Sequence, residues 1–177
     1  MRRATQRPRR RPTAALRIGH GFDLHRLVAG RTLRLGGMEI AHARGLEGHS
    51  DGDCVLHAVC DALLGAAGEG DMGRHFPSGD ERWRGADSRV FVREVARILA
   101  AGGWALANLD VTVIAQEPVL APHLDPMRLA VAGALGIDAG LVSVKAKSTD
   151  HLGALGRGEG IAALATALLT REDRAER

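Results

Sequence analysis

In the stretch IGHGFDLHRL, residues Ile18–Leu27, Ile18, Phe22 and Leu24 fall on even positions and Asp23 and His25 on odd ones. Successive side chains of a strand point to opposite faces, so this alternation predicts a half-buried β-strand. Asp23 and His25 then point the same way. A carboxylate beside an imidazole supplies two ligands of a zinc or other transition-metal site. A polar strand face wet by solvent has the same pattern, so the pair alone does not decide between them.

Outward from this strand the chain alternates between sheet and helix signals. RTLRLGGMEIA, from Arg31, predicts a hairpin, with Leu33 and Leu35 alternating before Gly36-Gly37 turns the chain. HARGLEGHSDGD has no periodicity and reads as a loop. From about Asp53, apolar Val55, Leu56, Val59, Leu63 and Leu64 recur at helical spacing, with Ser50 or Asp51 near the N-cap and Gly68 and Gly70 at the end. GDMGRHFPSGDERWRG is a long connection broken by glycine and proline, of the kind that carries function. A second helix is expected over Ser88–Ala101, capped by Asp87. LANLDVTVIA is a strand with Leu109, Val111 and Val113 on one face. A third helix lies within Pro122–Leu135, with Asp125-Pro126 as its N-cap and first helical residue. LVSVKAKS is another strand. IAALATALLTR is ambiguous, its alanines and leucines favouring helix and a tightly packed sheet allowing strand. The order predicts one α/β (α+β) domain, a mixed β-sheet covered by helices on one face. No GxGxxG or GxxxxGK[ST] follows a strand, so neither a dinucleotide fold nor a P-loop is supported.

The chain has 177 residues, 45% hydrophobic and 25% charged, enough for one core of ordinary size. Its net charge of +3 comes from MRRATQRPRRRP, which holds six arginines and no acid, and the remainder is slightly acidic. This extension, residues 1–16, has no apolar periodicity and is expected to be disordered; residues 171–177 are expected to be a flexible C-terminus around a domain spanning 17–170. Aromatics are only 3% and the positive charge sits in the extension, which argues against a nucleic-acid-binding module. No apolar run has the length of a membrane span and no signal-like apolar region occurs, so a cytoplasmic location without a membrane partner is expected. Cys54 and Cys60 suit neither a zinc knuckle nor a disulfide framework and read as small buried residues.

His57 is the candidate third metal ligand. Asp53, His57 and Asp61 lie four apart on one helical stripe, and a helix crossing the end of the first strand aims His57 at Asp23 and His25. Asp53 or Asp61 is placed to orient the imidazole through its other nitrogen; simple solvation of the helix explains the same spacing. GHSDGD offers His49, the Ser50 hydroxyl and N–H groups at a helix start, suited to an anion or to an ordinary cap. KAKSTD brings Lys145 and Lys147, the only lysines, with two hydroxyls and Asp150. RGEG sets Arg157 and Glu159 beside glycines, as a turn also would.

Taken in order, RIGHGFDLHRL, GHSDGDCVLHAVCDALLGAAGEGDMG, HFP, GADSR, LDVTVIAQEP, PHLDPMR and VKAKSTDHLGALGRGEGI resemble the 2-C-methyl-D-erythritol 2,4-cyclodiphosphate synthases of the non-mevalonate isoprenoid pathway. The resemblance runs from about Arg17 to Thr170. It implies a homotrimer with active sites at subunit interfaces, and makes IAALATALLTR a strand. It implies an intramolecular phosphoryl transfer: a phosphate on the methylerythritol end of a cytidine diphosphate substrate attacks the β-phosphorus, and CMP leaves. The implied metals are zinc, or another divalent transition metal, on Asp23, His25 and His57, and Mg2+ or Mn2+ on Asp150. His49 and Ser50 match the pair that holds the methylerythritol phosphate, His49 polarising the reacting group. Ser148 matches a hydroxyl that stabilises the transition state. Asp71, Met72 and Gly73, then Phe76 to Asp80, match the sugar-binding loop. Ala115 to Ala121, including Pro118 and Leu120, match with Lys147, Ser148, Thr149 and Asp150 a cytidine pocket supplied by a neighbouring subunit. Arg157 matches a residue near the trimer axis, beside a cavity that can hold an isoprenoid diphosphate.

The chain departs from the family pattern at Asp150, where glutamate is usual, and at Ser148, where threonine is common. Val119 stands where lysine is frequent, Ser78 where aspartate or proline is, and Ala154 where an aromatic is. Two other readings fit a zinc triad: a zinc phosphohydrolase, in which the metal activates water and the product is linear, and a metal-binding trimer with impaired catalysis.

Overall fold

The computed structural model describes residues Ala15–Arg171; the segments before and after, which include most of the arginine-rich extension and the C-terminus, lie outside the described residues. In chain order come β1 (Ala15–Ala29), β2 (Leu33–Leu35), β3 (Met38–Ile40), β4 (Arg44–Leu46), α1 (Cys54–Ala67), the short α2 (Met72–His75), α3 (Arg89–Ala101), β5 (Ala105–Ile114), α4 (Leu124–Leu135), β6 (Val142–Lys147), the short α5 (Gly153–Gly156) and β7 (Gly160–Arg171). Five strands form one mixed sheet in the order β4-β1-β7-β5-β6, and β2 and β3 form a separate hairpin. All neighbours in the large sheet are antiparallel except β5 and β6, which the intervening α4 leaves parallel.

The central element is α1, on the face of β1 and β7. It is apolar almost all round and buried along most of its length, Val55, Leu56, Val59, Leu63 and Leu64 being fully enclosed. Each such side chain contributes roughly 1.5–3 kcal/mol relative to exposure. The helix lies unusually close to β1. A Cβ built on Gly19 would meet the Ala62 carbonyl oxygen at 1.9 Å, and one on Gly21 the Ala58 oxygen at 2.0 Å. Glycine on the strand thus faces an alanine ridge at Ala58, Ala62 and Ala66, spaced by four. On β7 the helix-facing positions are Ile161, Ala163, Ala165, Ala167 and Leu169, mostly small for the same reason. This is why an alanine-rich segment is a strand here: helix propensity yields to a place in the sheet directly under a helix.

The alternation in β1 is real, but its sides are reversed within the chain. Gly19, Gly21, Asp23, His25 and Leu27 share the helix side. Leu16, Ile18, Phe22 and Leu24 face outward and are 63%, 74%, 54% and 50% exposed. An apolar side turned inward is the ordinary expectation for a half-buried strand. Here glycines let the helix approach instead, and the apolar side remains uncovered.

Several local expectations are corrected. The segment read as a loop after Ile40 contains the edge strand β4. Neither Ser50 nor Asp51 caps α1: Asp53 does, its Oδ1 accepting from the Val55 and Leu56 N–H groups at 3.1 Å and its two oxygens also from Gly36 and Gly37. That one carboxylate ties the β2–β3 turn to the start of α1 and occupies N–H groups that an anion would need. Ser88, not Asp87, is the N-cap residue of α3; Asp87 accepts from the Arg89 N–H. α4 begins at Leu124 after a 3-10 turn at Ala121–His123, so Asp125 and Pro126 lie inside its first turn. The long connection holds α2 and a 3-10 turn at Glu81–Trp83. The hairpin, β5, β6 and the burial of Cys54 and Cys60 agree with the sequence reading.

Candidate metal centre

β1 presents Asp23 and His25 on its helix side, and α1 brings His57, one turn from its start, against them. Asp23 Oδ2 lies 2.8 Å from His25 Nε2 and 2.9 Å from His57 Nδ1, and the two ring nitrogens are 3.2 Å apart. Three donor atoms from three residues therefore converge on one point. Tetrahedral coordination at about 2.0–2.1 Å separates ligand atoms by roughly 3.3 Å, so a divalent ion fits once the triangle opens by a few tenths of an ångström. One carboxylate and two imidazoles suit zinc and its transition-metal neighbours.

The electrostatics suit a cation. Burial by itself raises the Asp23 carboxyl, but the close polar contacts and charge of the His25 and His57 imidazoles outweigh it and hold the group well below the usual carboxylate range. Burial opposes protonation of His25, yet its hydrogen bond to Asp23, the Asp23 charge and a hydrogen bond to the Glu47 backbone leave it raised above the ordinary histidine value.

The carboxylates expected to orient His57 do not touch it. Asp53 caps the helix, as above, and Asp61 accepts from the Met72 N–H at 2.8 Å, anchoring the start of α2; burial pushes the Asp61 carboxyl up. His57 Nε2 instead meets two hydroxyls, Ser88 Oγ at 2.9 Å and Ser50 Oγ at 3.2 Å. Ser88 had no role in the sequence reading, although GADSR was among the matching segments. Its only sequence signal is its place at a helix start.

Around the triad lie some of the other expected residues. His49 Nε2 donates to the Asp80 carbonyl at 3.1 Å, and the His49 carbonyl accepts from Gly85 N–H at 2.8 Å, fastening the connection beside the centre. Asp71 accepts from the Arg74 N–H, and the Asp80 carboxylate is paired with Arg82. Phe76 is buried against Trp83 and Phe91, with ring centroids 5.6 and 4.8 Å apart. The Phe76 ring is thus packed beneath the connection.

A second group forms where β5 and β6 end. Ala115 N–H donates to the Lys147 carbonyl at 3.0 Å and His151 N–H to Gln116 Oε1 at 3.2 Å, so the segments 115–121 and 147–151 are bound together. Ser148 Oγ donates to Asp150 Oδ1 at 3.0 Å. Asp150 and His151 hold left-handed backbone at φ 48° and 64°, a cost that concentrates at functional loops. Val119 is 77% exposed, while Leu120 is buried. Lys145 pairs with Asp110, so it is committed to the sheet. Arg157 Nε is 2.6 Å from Glu159 Oε1, and Glu159 lines a cleft of about 280 Å3 with Leu24, His25, Arg26, Ala154 and Leu155. Among the described residues no side-chain hydrogen bond joins this second group to the triad.

Fold and site together define a single-domain α/β protein with a three-ligand metal centre between a strand and the helix packed on it, and a separate cluster of loop polar groups at the sheet's end. The chain belongs to the YgbB family, whose pattern matches residues 16–170. It is 56% identical over 155 residues to the 2-C-methyl-D-erythritol 2,4-cyclodiphosphate synthase of Bordetella petrii, covering 88% of this chain and 96% of that one. Solved structures share the fold as well. The bifunctional IspDF of Campylobacter jejuni superposes with a TM-score of 0.87 at 37% identity, over 92% of this chain; the match spans 44% of that longer protein. IspF of Plasmodium falciparum, in a CDP complex, gives 0.79 at 32% identity, over 89% of this chain and 97% of that one. No helix among the described residues is long and apolar enough to cross a membrane.

Proposed function

We propose that the chain converts 4-diphosphocytidyl-2-C-methyl-D-erythritol 2-phosphate to 2-C-methyl-D-erythritol 2,4-cyclodiphosphate with release of CMP. The observation that carries this is the Asp23, His25 and His57 triad in a chain 56% identical to a synthase so named. An oxygen of the 2-phosphate attacks the β-phosphorus, the bond from that phosphorus to the oxygen bridging to the α-phosphate breaks, and CMP carries that oxygen away. Nothing in the reaction needs a covalent enzyme nucleophile. It needs two mutually repelling phosphates held in line, and the charge on the leaving phosphate neutralised.

Asp23, His25 and His57 hold a divalent ion, zinc in our reading, which supplies Lewis acidity and a fixed point for a phosphate oxygen. His49 and Ser50 hold the methylerythritol phosphate next to it. The backbone of Asp71, Met72 and Gly73 and the stretch from Phe76 to Asp80 take the sugar portion. Ala115, Pro118, Leu120 and Ala121 with Lys147, Ser148 and Thr149 form the cytidine side, and Asp150 with the diphosphate holds Mg2+ or Mn2+. Asp150 reaches one methylene less far than a glutamate would. Arg157 lies by the axis of a homotrimer, in which each site takes its triad from one subunit and its nucleotide side from the next. The uncovered apolar side of β1 supports that assembly.

The test is phosphorus NMR of the purified protein with this substrate, with and without zinc and magnesium. Two coupled cyclic-diphosphate resonances appearing with CMP establish the reaction. A linear phosphate product would point to a zinc phosphohydrolase, and metal binding without turnover to an impaired trimer.

A further inference from the structure

The triad's third ligand has a hydrogen-bonded tail that the reaction as described does not use. His57 turns Nδ1 to Asp23 and His25 and Nε2 to Ser88 Oγ at 2.9 Å. Ser88 is fully buried. Both its backbone N–H and its hydroxyl are directed at one carboxylate: the N–H donates to Asp51 Oδ2 at 2.9 Å, and Oγ donates to Asp51 Oδ1 in a short hydrogen bond. Asp51 is itself held, its N–H on the Ala86 carbonyl and its Oδ1 accepting from Asp53 N–H at 3.2 Å.

For a neutral imidazole the proton count along this chain has one consistent solution. A hydroxyl has one hydrogen and two lone pairs. Ser88 gives its hydrogen to Asp51, so only lone pairs face His57 Nε2. Nε2 must then carry the ring hydrogen, which leaves Nδ1 with the lone pair a metal needs. Without that constraint the opposite tautomer is attractive, because an Nδ1–H would donate to the Asp23 carboxylate at 2.9 Å, a charge-assisted bond stronger than one to a neutral acceptor. Ser50 cannot decide the matter, since its hydroxyl can donate to Nε2 or accept from it at 3.2 Å. With Ser88 taking the Nε2 hydrogen, the Ser50 hydrogen is left free for a ligand.

We infer that Ser88 and Asp51 are positioning residues: through the chain Asp51–Ser88–His57 they hold the imidazole in the tautomer whose Nδ1 binds the metal, and they leave the Ser50 hydrogen free for a ligand. The inference rests on the triad being a metal site, and not on the identity of the substrate.

Three variants of the full chain test it: Ser88→Ala, Asp51→Asn and, as the reference for a lost ligand, His57→Ala. Zinc affinity is read by competition with a chelator, and the His57 tautomer by long-range proton–nitrogen correlation in the metal-free protein at a pH where imidazoles are neutral. Wild type should show His57 protonated on Nε2. Ser88→Ala should weaken zinc about 10–100-fold, the range for outer partners of a ligating histidine. Asp51→Asn should shift the His57 signals toward Nδ1–H, because an amide can donate to Ser88 and turn its hydroxyl on Nε2. Wild-type zinc affinity in both folded variants would overturn the inference. So would an Nδ1–H tautomer in the wild-type protein, a measurement that stands even if neither variant folds. A wild-type protein that bound no zinc would instead remove the metal-site reading itself.

Discussion

At the scale of single residues, Asp23, His25 and His57 differ in what holds them. Asp23 and His25 are fixed by the strand, whose two-residue period sets both on one side. His57 depends on a helix and on the hydroxyls behind it. Removing His57 therefore takes a ligand without touching the strand pair. His57→Ala should lower zinc affinity by more than about 100-fold, beyond the 10–100-fold typical of outer-shell partners, while the melting temperature of the metal-free protein changes little. Equilibrium dialysis against buffered zinc and thermal melts check the two parts. Saturating zinc at 100 times its dissociation constant should stabilise wild type by about 2.7 kcal/mol over the chelated protein, and His57→Ala should lose that increment. The ligands were legible in the sequence because a D-x-H on a strand and a histidine on an amphipathic helix are local patterns. Their supports were not. Asp53 and Asp61 have the spacing of orienting groups, yet one binds the β2–β3 turn and the other α2. Ser88 and Asp51, 37 residues apart, meet only through the tertiary fold.

Among elements, the contact of α1 with β1 governs the rest, because it sets both the core and the height of His57 above Asp23. Its closeness depends on Gly19 and Gly21. An added methyl at either would overlap helix backbone, which cannot swing aside as a flexible side chain can. Gly21→Ala should cost about 3 kcal/mol or somewhat more, at the upper end of overpacking. It should also weaken zinc, since lifting α1 moves His57 from Asp23 and His25. Denaturant unfolding and a zinc titration measure both, and a variant with unchanged stability would mean α1 has room that the structure lacks. The glycines were visible in IGHGF, and the alanine ridge at Ala58, Ala62 and Ala66 was visible in the helix. Neither signals close packing until Gly19 is paired with Ala62 and Gly21 with Ala58, far apart in sequence. The same pairing explains why apolar alternation in β1 marked the right strand while its sides came out reversed, and why propensity left β7 undecided.

For the whole molecule, the outer side of β1 carries Leu16, Ile18, Phe22 and Leu24 at half to three-quarters exposure, beside Leu164 and Leu168 of β7. An apolar patch of this kind on an otherwise ordinary surface marks an interaction site. In the proposed trimer it is covered by further copies, and the separation of the triad from the loops at 115–121 and 147–151 becomes a division of labour between subunits. Placing aspartate at both Ile18 and Phe22 should dissociate the assembly, seen by sedimentation. The triad comes from one chain, so zinc binding should survive. Turnover should not. A sharper consequence follows from head-to-tail contacts, in which each subunit gives one half-site to each neighbour. Take His57→Ala in one chain, and Ser148→Ala with Asp150→Ala in another; each homotrimer should be inactive. Unfolded together in equal amounts and refolded, the chains assort at random. A site then works only when its triad comes from the second chain and its nucleotide side from the first, a combination with probability one half for each. Activity should return to about a quarter of wild type. If each site were built within one chain, every site in the mixture would carry a defect, and activity would stay at the level of the separate variants.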